Sequence, residues 1–212
     1  MMRRRLLLMS KKSELPNGYK RCEYLESTGT QYIDTGYKIG PSLSSFEYRY
    51  RFDNLYAQRL FGLIYDEIFY QHFINTNPLT MGIQMGLENW NDEIFSAICD
   101  TAIHNIVVDL DKRIAVIDGK SNSIYSDKSK SSPCSLYLFA RNANGLTDKY
   151  AYAKLYSFVI KDNGNVARNF IPAIDRSGRP CMYDTVTKQP FYNKGTGEFG
   201  YELMDGTYVA PV

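Results

Sequence analysis

The sequence is poor in the residues that most often carry catalysis. Among 212 residues there are two histidines, His72 and His104, and one tryptophan, Trp90. No nucleophile-elbow motif and no recognised metal-ligand spacing occurs, so neither a Ser/Cys–His triad nor a metal centre is marked. The four cysteines, Cys22, Cys99, Cys134 and Cys181, lie tens of residues apart and form no Cys-x-x-Cys pair. They read as reduced thiols in or near a core. No apolar run approaches the roughly 20 residues that span a bilayer, so no membrane span is expected. Sustained helical periodicity is missing too, apart from room for one helical turn near 89–98.

What the chain has instead is tyrosine and phenylalanine. There are 18 Tyr and 11 Phe in an aromatic share of 14%, a bias toward half-buried strands. Hydrophobic residues make up 44% and charged residues 23%, enough for a packed core. The stretch "SSFEYRYRF" places Phe46, Tyr48, Tyr50 and Phe52 on one face and Glu47, Arg49 and Arg51 on the other, a period-2 strand with one wet face. "RLFGLIYD" and "IFYQHFI" read as central strands, and "NTNPLTMG" as a loop. In "IHNIVVDLDKRIAVIDGK", runs 103–110 and 113–117 form a hairpin, with Asp118-Gly119 at the next turn. Residues 121–133 read as a polar loop, with room for a short strand at Ile124-Tyr125, and "SLYLFARN" as one strand. Two long runs follow, joined at Asp162-Asn163-Gly164. Many short strands with turns every 8–12 residues indicate an all-β, two-sheet antiparallel sandwich or barrel, the long strands favouring stacked sheets.

Charge divides the chain. Residues 1–12 carry Arg3, Arg4, Arg5, Lys11 and Lys12 and no acid. The remainder has 20 basic against 23 acidic residues, a net −3. Residues 1–18 therefore read as a basic arm and 19–212 as one domain. The apolar run after the arginines is only Leu6, Leu7, Leu8 and Met9, too short for a signal peptide. A guanidinium cluster beside that run suits docking on a partner's acidic surface, with Arg3, Arg4, Arg5, Leu6, Leu7 and Leu8 as the anchor. No nucleic-acid partner is expected.

Three segments carry a likeness. "LPNGYKRCEYLESTGTQYIDTGY" (15–37), "HNIVVDLDKRIAVIDGK" (104–120) and the closing "AKLYSFVIKDNGNVARNFIPAIDRSGRPCMYDTVTKQPFYNKGTGEF" (153–199) resemble, in that order, concanavalin A-like and laminin-G-like jelly-roll proteins of gut bacteria and their phages. The resemblance implies a jelly roll of two curved sheets. It is compatible with lectins, adhesion modules, glycosidases and virion parts. Jelly-roll glycanases with Glu-x-Asp-x-x-Glu place two carboxylates on one sheet face. No Glu-x-Asp or Asp-x-Glu occurs here, and Asp66-Glu67 and Asp92-Glu93 would point to opposite faces if extended. Asp109-x-Asp111 could offer oxygens to Ca²⁺, but reads more simply as a strand end and a turn. Trp90, between Asn89 and Asn91, is the best local candidate for a glycan contact.

In "YLESTGTQYIDTGY", a strand through Glu23–Ser27 bends at Thr28-Gly29. A second strand then places Gln31, Ile33 and Thr35 on one face and Tyr32 and Asp34 on the other, before a turn at Gly36. The expectation is a non-enzymatic virion structural protein on the particle exterior: a capsid decoration, head fibre or tail-associated subunit, assembling as a homo-oligomer, with no cofactor or metal. The alternatives are a glycan-binding module or adhesin at a bacterial surface and, behind it, a polysaccharide hydrolase. Deleting residues 1–12 should leave the domain folded by circular dichroism but absent from purified particles by mass spectrometry; undiminished incorporation would refute the anchoring role.

Overall fold

A computed structural model describes residues 14–76, 79–87, 93–94 and 99–212. The arm residues Arg3, Arg4, Arg5, Leu6, Leu7 and Leu8, and the candidates Asn89, Trp90 and Asn91, lie outside them, as do Asp92 and most of the expected helical turn. The described residues form a two-sheet β-sandwich of jelly-roll-like form. No helix among them is long and apolar enough to cross a membrane.

The larger sheet contains β1 (Lys20–Thr28), β3 (Leu43–Phe52), β8 (His104–Asp109), β9 (Ile114–Ile117), β10 (Lys120–Ser123), β14 (Tyr152–Asp162), β15 (Asn165–Ile174), β16 (Pro180–Asp184), β17 (Gln189–Tyr192), β18 (Gly200–Leu203) and β19 (Tyr208–Val209). Its strand order is β10-β9-β8-β3-β14-β1-β15-β16-β17, with β18 and β19 added beside β1. The smaller sheet contains β2 (Ile33–Lys38), β4 (Gln58–Tyr65), β5 (Ile68–Thr76), β6 (Leu79–Leu87), β7 (Glu93–Ile94), β11 (Ser135–Leu138), β12 (Arg141–Ala143) and β13 (Leu146–Asp148). Its order is β13-β12-β4-β5-β6-β7, with β11 bridging β4 and β2.

Alternation builds the core. Phe46, Tyr48, Tyr50 and Phe52 all point inward from β3, and their charged neighbours point out. Phe46 packs 5.4 Å from Phe61 of β4, and Phe61 lies 5.1 Å from Phe158 of β14, so both sheets meet in one aromatic layer. Burying each such ring contributes roughly 2–3 kcal/mol. The hairpin turns follow their sequence signals. Asp118-Gly119 and Asn163-Gly164 both take positive φ at each position, the backbone that matches the twist of paired strands.

The structure corrects several local expectations. "SLYLFARN" is two strands, because the backbone turns at Phe139, whose φ is +63°. β11 pairs β4 antiparallel, whereas β12 pairs it in parallel, an exception in an otherwise antiparallel fold. The expected loop "NTNPLTMG" is nearly all strand, since Thr76 pairs Leu79 across the hairpin. Ile124-Tyr125 is not strand; the short strand there is β10. Gly36 lies inside β2 at a register shift against β11 rather than ending the strand. Glu93 and Ile94, within the expected helical turn, pair with β6. Leu15 packs against a small cluster of Ile171, Ala173, Cys181 and Tyr183.

All four cysteines are free thiols. Burial pushes Cys22 and Cys181 up to about 12, so neither is a nucleophile at neutral pH. His72 is fully buried among Tyr48, Tyr50, Phe52 and Phe61, and neither ring nitrogen has a hydrogen-bond partner among the described residues. Burial, followed by His104 and Arg59, lowers its pKa from 6.5 to about 3. The unfolded chain therefore takes up this proton first as the pH falls. The His72 contribution to stability is complete above about pH 6.5 and is lost between there and about pH 3, at about 1.4 kcal/mol per pH unit well below 6.5. His72→Leu should raise unfolding free energy by about 1–2 kcal/mol at pH 7 and flatten the decline between pH 6 and 4. Denaturant titrations across that range would show it; an unchanged acid limb would contradict it.

Candidate functional site

Segments 15–37 and 153–199, far apart in sequence, meet in space. β1 ends at Thr28, and the chain bends at Gly29, whose φ is +90°. A Cβ there would lie 2.5 Å from the Tyr152 ring, so only glycine admits that ring against the bend. Residues 30–32 then run beside 194–196 of the closing segment. Thr196 N donates to Thr30 O (3.1 Å), and Lys194 N donates to Tyr32 O (2.9 Å). At Gly195 an added Cβ would sit 1.9 Å from Thr30 O, so the closeness of the two segments depends on that glycine too.

Two side-chain amides lock this junction. Gln31, wholly buried, accepts from Thr28 N (2.9 Å) and Ser27 Oγ (3.1 Å), while its Nε2 donates to Glu198 O (3.3 Å). Asn193 Oδ1 accepts from Tyr32 N (3.1 Å) and Gly195 N (2.8 Å), and its Nδ2 donates to Gly197 O (2.8 Å). Each amide supplies the backbone partners that a regular ladder would otherwise provide.

The junction floors an open cleft of about 360 Å³. Tyr32 and Tyr150 wall it, with ring centroids 6.0 Å apart at 69°, and Tyr137 backs Tyr32 at 4.9 Å. Thr30, Thr147, Thr196 and Lys194 supply its polar lining. Tyr150's hydroxyl is pushed up by burial and then by Tyr32 and Asp148, so it stays a neutral donor. Such a surface can stack a pyranose ring and hydrogen-bond its hydroxyls. Asp34, flagged in sequence beside Tyr32, is engaged elsewhere: its Oδ1 accepts from Gly36 N (2.9 Å) and Ser135 Oγ (2.5 Å). The expected faces hold, with Gln31, Ile33 and Thr35 buried and Tyr32 and Asp34 partly exposed. Sequence reading missed Tyr150, Lys194 and Thr196. The one available signal was Gly195 and Gly197 in "NKGTGEF", which read merely as turn glycines.

The other flagged residues go to structural duties. His104 is gripped by Asp118 (Nδ1 to Oδ2, 2.7 Å) and Asp100 (Nε2 to Oδ1, 3.0 Å), so both ring nitrogens are engaged. Asp66-Glu67 is the turn between β4 and β5. Asp109 binds Lys112 Nζ at 2.9 Å and Asp111 pairs with Lys128, and among the described residues no group of three ligands could hold a metal. A second cluster escaped sequence reading because its members are far apart in the chain. On the outer face of the larger sheet Tyr24 Oη donates to Glu202 (2.9 Å), Tyr208 Oη donates to Glu26 (2.9 Å), and Lys154 Nζ lies 3.4 Å from Glu26. Each carboxylate there has its donor, and the network ties β1, β14, β18 and β19 together.

Gly195→Ala should force residues 30 and 195 apart and cost about 1–3 kcal/mol in unfolding free energy. Gly40→Ala, whose Cβ meets nothing nearer than 3.5 Å, is the control and should cost far less. Equal losses in thermal or denaturant unfolding would contradict the close approach.

Outside the geometry, no protein-family model matches the chain, and a search of curated proteins finds no significant match.

Proposed function

We propose that the protein is a non-enzymatic structural subunit of a phage virion: a capsid decoration, head-fibre or tail-associated protein that displays a lectin-like sandwich. In this reading residues 1–12 anchor the subunit, copies of it assemble together, and the cleft at Tyr32 and Tyr150 faces outward to contact surface glycans. The observation that carries the recognition role is the cleft itself: two tyrosine walls above a floor stitched by hydrogen bonds. A rigid aromatic site needs little reordering on binding, which is how small interfaces reach useful affinity. The virion placement is supported by the likeness of residues 15–37 and 153–199 to jelly-roll proteins of gut bacteria and phages. Those same segments supply Gly29, Thr30, Tyr32 and Lys194–Thr196 of the cleft, and Thr147 and Tyr150 complete it.

The same site would serve an adhesin or glycan-binding module at a bacterial surface. Mass spectrometry of purified particles separates the two: the protein among the particle components supports the virion placement, and its absence refutes it. Tyr150→Ala should weaken glycan binding about tenfold while leaving thermal stability nearly unchanged, because Tyr150 is only partly buried. Isothermal titration with the best glycan from an array would check this, and equal affinity in the variant would remove the cleft from the account.

A further inference from the structure

We propose that the cleft selects an anionic sugar, one bearing a carboxylate or a sulfate. This rests on the glycan-binding reading above. A neutral sugar presents mainly hydroxyl groups, and a site for it needs acceptors to take their protons as well as donors. Around this cleft the strong acceptors are already committed. Asn193 Oδ1 takes two backbone N–H groups. Asp148 is held bidentately by Arg141, with Nε to Oδ1 at 2.8 Å and Nη2 to Oδ2 at 2.5 Å. Asp34 accepts from Gly36 N and Ser135 Oγ. The Thr30 hydroxyl spends its proton on Thr196 O at 3.1 Å, which leaves its oxygen as a weak neutral acceptor only.

Donors remain. Lys194 is exposed at the rim and enters no ion pair among the described residues, although its backbone is fixed by the bond from Lys194 N to Tyr32 O. Its side chain is thus a tethered ammonium group on a fixed base. It lines the cleft together with Tyr32 and Tyr150 and is the one charged group among the lining residues. A ring stacked on one tyrosine face that carries an anionic substituent toward Lys194 would make a charge-assisted hydrogen bond there. A neutral ring of the same shape would leave the ammonium in water and gain only the stacking.

The test is a glycan array of neutral, carboxylate-bearing and sulfated oligosaccharides on the full chain at physiological salt. Titration follows with matched pairs: galacturonate against galactose oligomers, and sulfated against unsulfated galactan oligomers. The expected result is about fivefold or more tighter binding of the charged member of at least one pair. Lys194→Met should erase that advantage, Lys194→Arg should retain it, and Tyr150→Ala should weaken both members. The arms also tell carboxylate from sulfate as the preferred anion. Equal binding of charged and neutral members, both lost in Tyr150→Ala, would overturn the anionic preference and leave the glycan site standing. No binding to any glycan by correctly folded protein would overturn the site itself.

Discussion

The site depends on one junction: residues 30–32 against residues 193–198, held by the buried amide of Gln31 and the half-buried amide of Asn193. It joins the first strand region to the last. The chain from β1 passes into β2, so this crossing carries the backbone from the larger sheet to the smaller. Backbone groups at such a crossing lie outside any regular ladder, and leaving them unpaired in the interior would cost about 1–3 kcal/mol each. The two amides and the glycine at 195 resolve that demand. The same solution brings Tyr32, Tyr150 and Lys194 to one place. The cleft is a consequence of how the sandwich is closed.

The fold was written in local pattern, and the site was not. Alternation along Ser44–Phe52 placed four aromatics in the core, and Asp118-Gly119 and Asn163-Gly164 announced their turns, because these signals act over a few residues. "YLESTGTQYIDTGY" gave the faces of Gln31, Ile33, Thr35, Tyr32 and Asp34 for the same reason. Tyr150 and Lys194 reach Tyr32 only after long excursions of the chain, and nothing in their own neighbourhoods distinguishes them from surface residues. The errors have a similar cause. "SLYLFARN" has the composition of one strand, but Phe139 takes positive φ because β11 and β12 must both reach β4, in opposite directions. A single-sequence pattern holds no trace of that tertiary demand.

Polar groups divide this protein into two regimes. On the outer face of the larger sheet, Tyr24, Glu26, Lys154, Glu202 and Tyr208 satisfy one another, with Tyr24 buried and the Lys154–Glu26 pair largely shielded from solvent. Inside, His72 has no hydrogen-bond partner among the described residues, and burial keeps it neutral. Around the cleft, the oxygens of Asn193 and Asp148 are bound within the protein, and the one charged lining group is the Lys194 ammonium. That imbalance, more than the number of polar residues, gives the site its chemical character.

The central claim is that the junction of the first and last segments forms the binding surface. Chemical-shift mapping of backbone amides during titration with a glycan that binds tests it most directly. The largest changes are expected at residues 29–32, 147–150 and 194–196, with little change across the outer face of the larger sheet. Perturbations centred on that outer face, around Arg49, Val107 and Ser157, with the cleft unmoved, would contradict it.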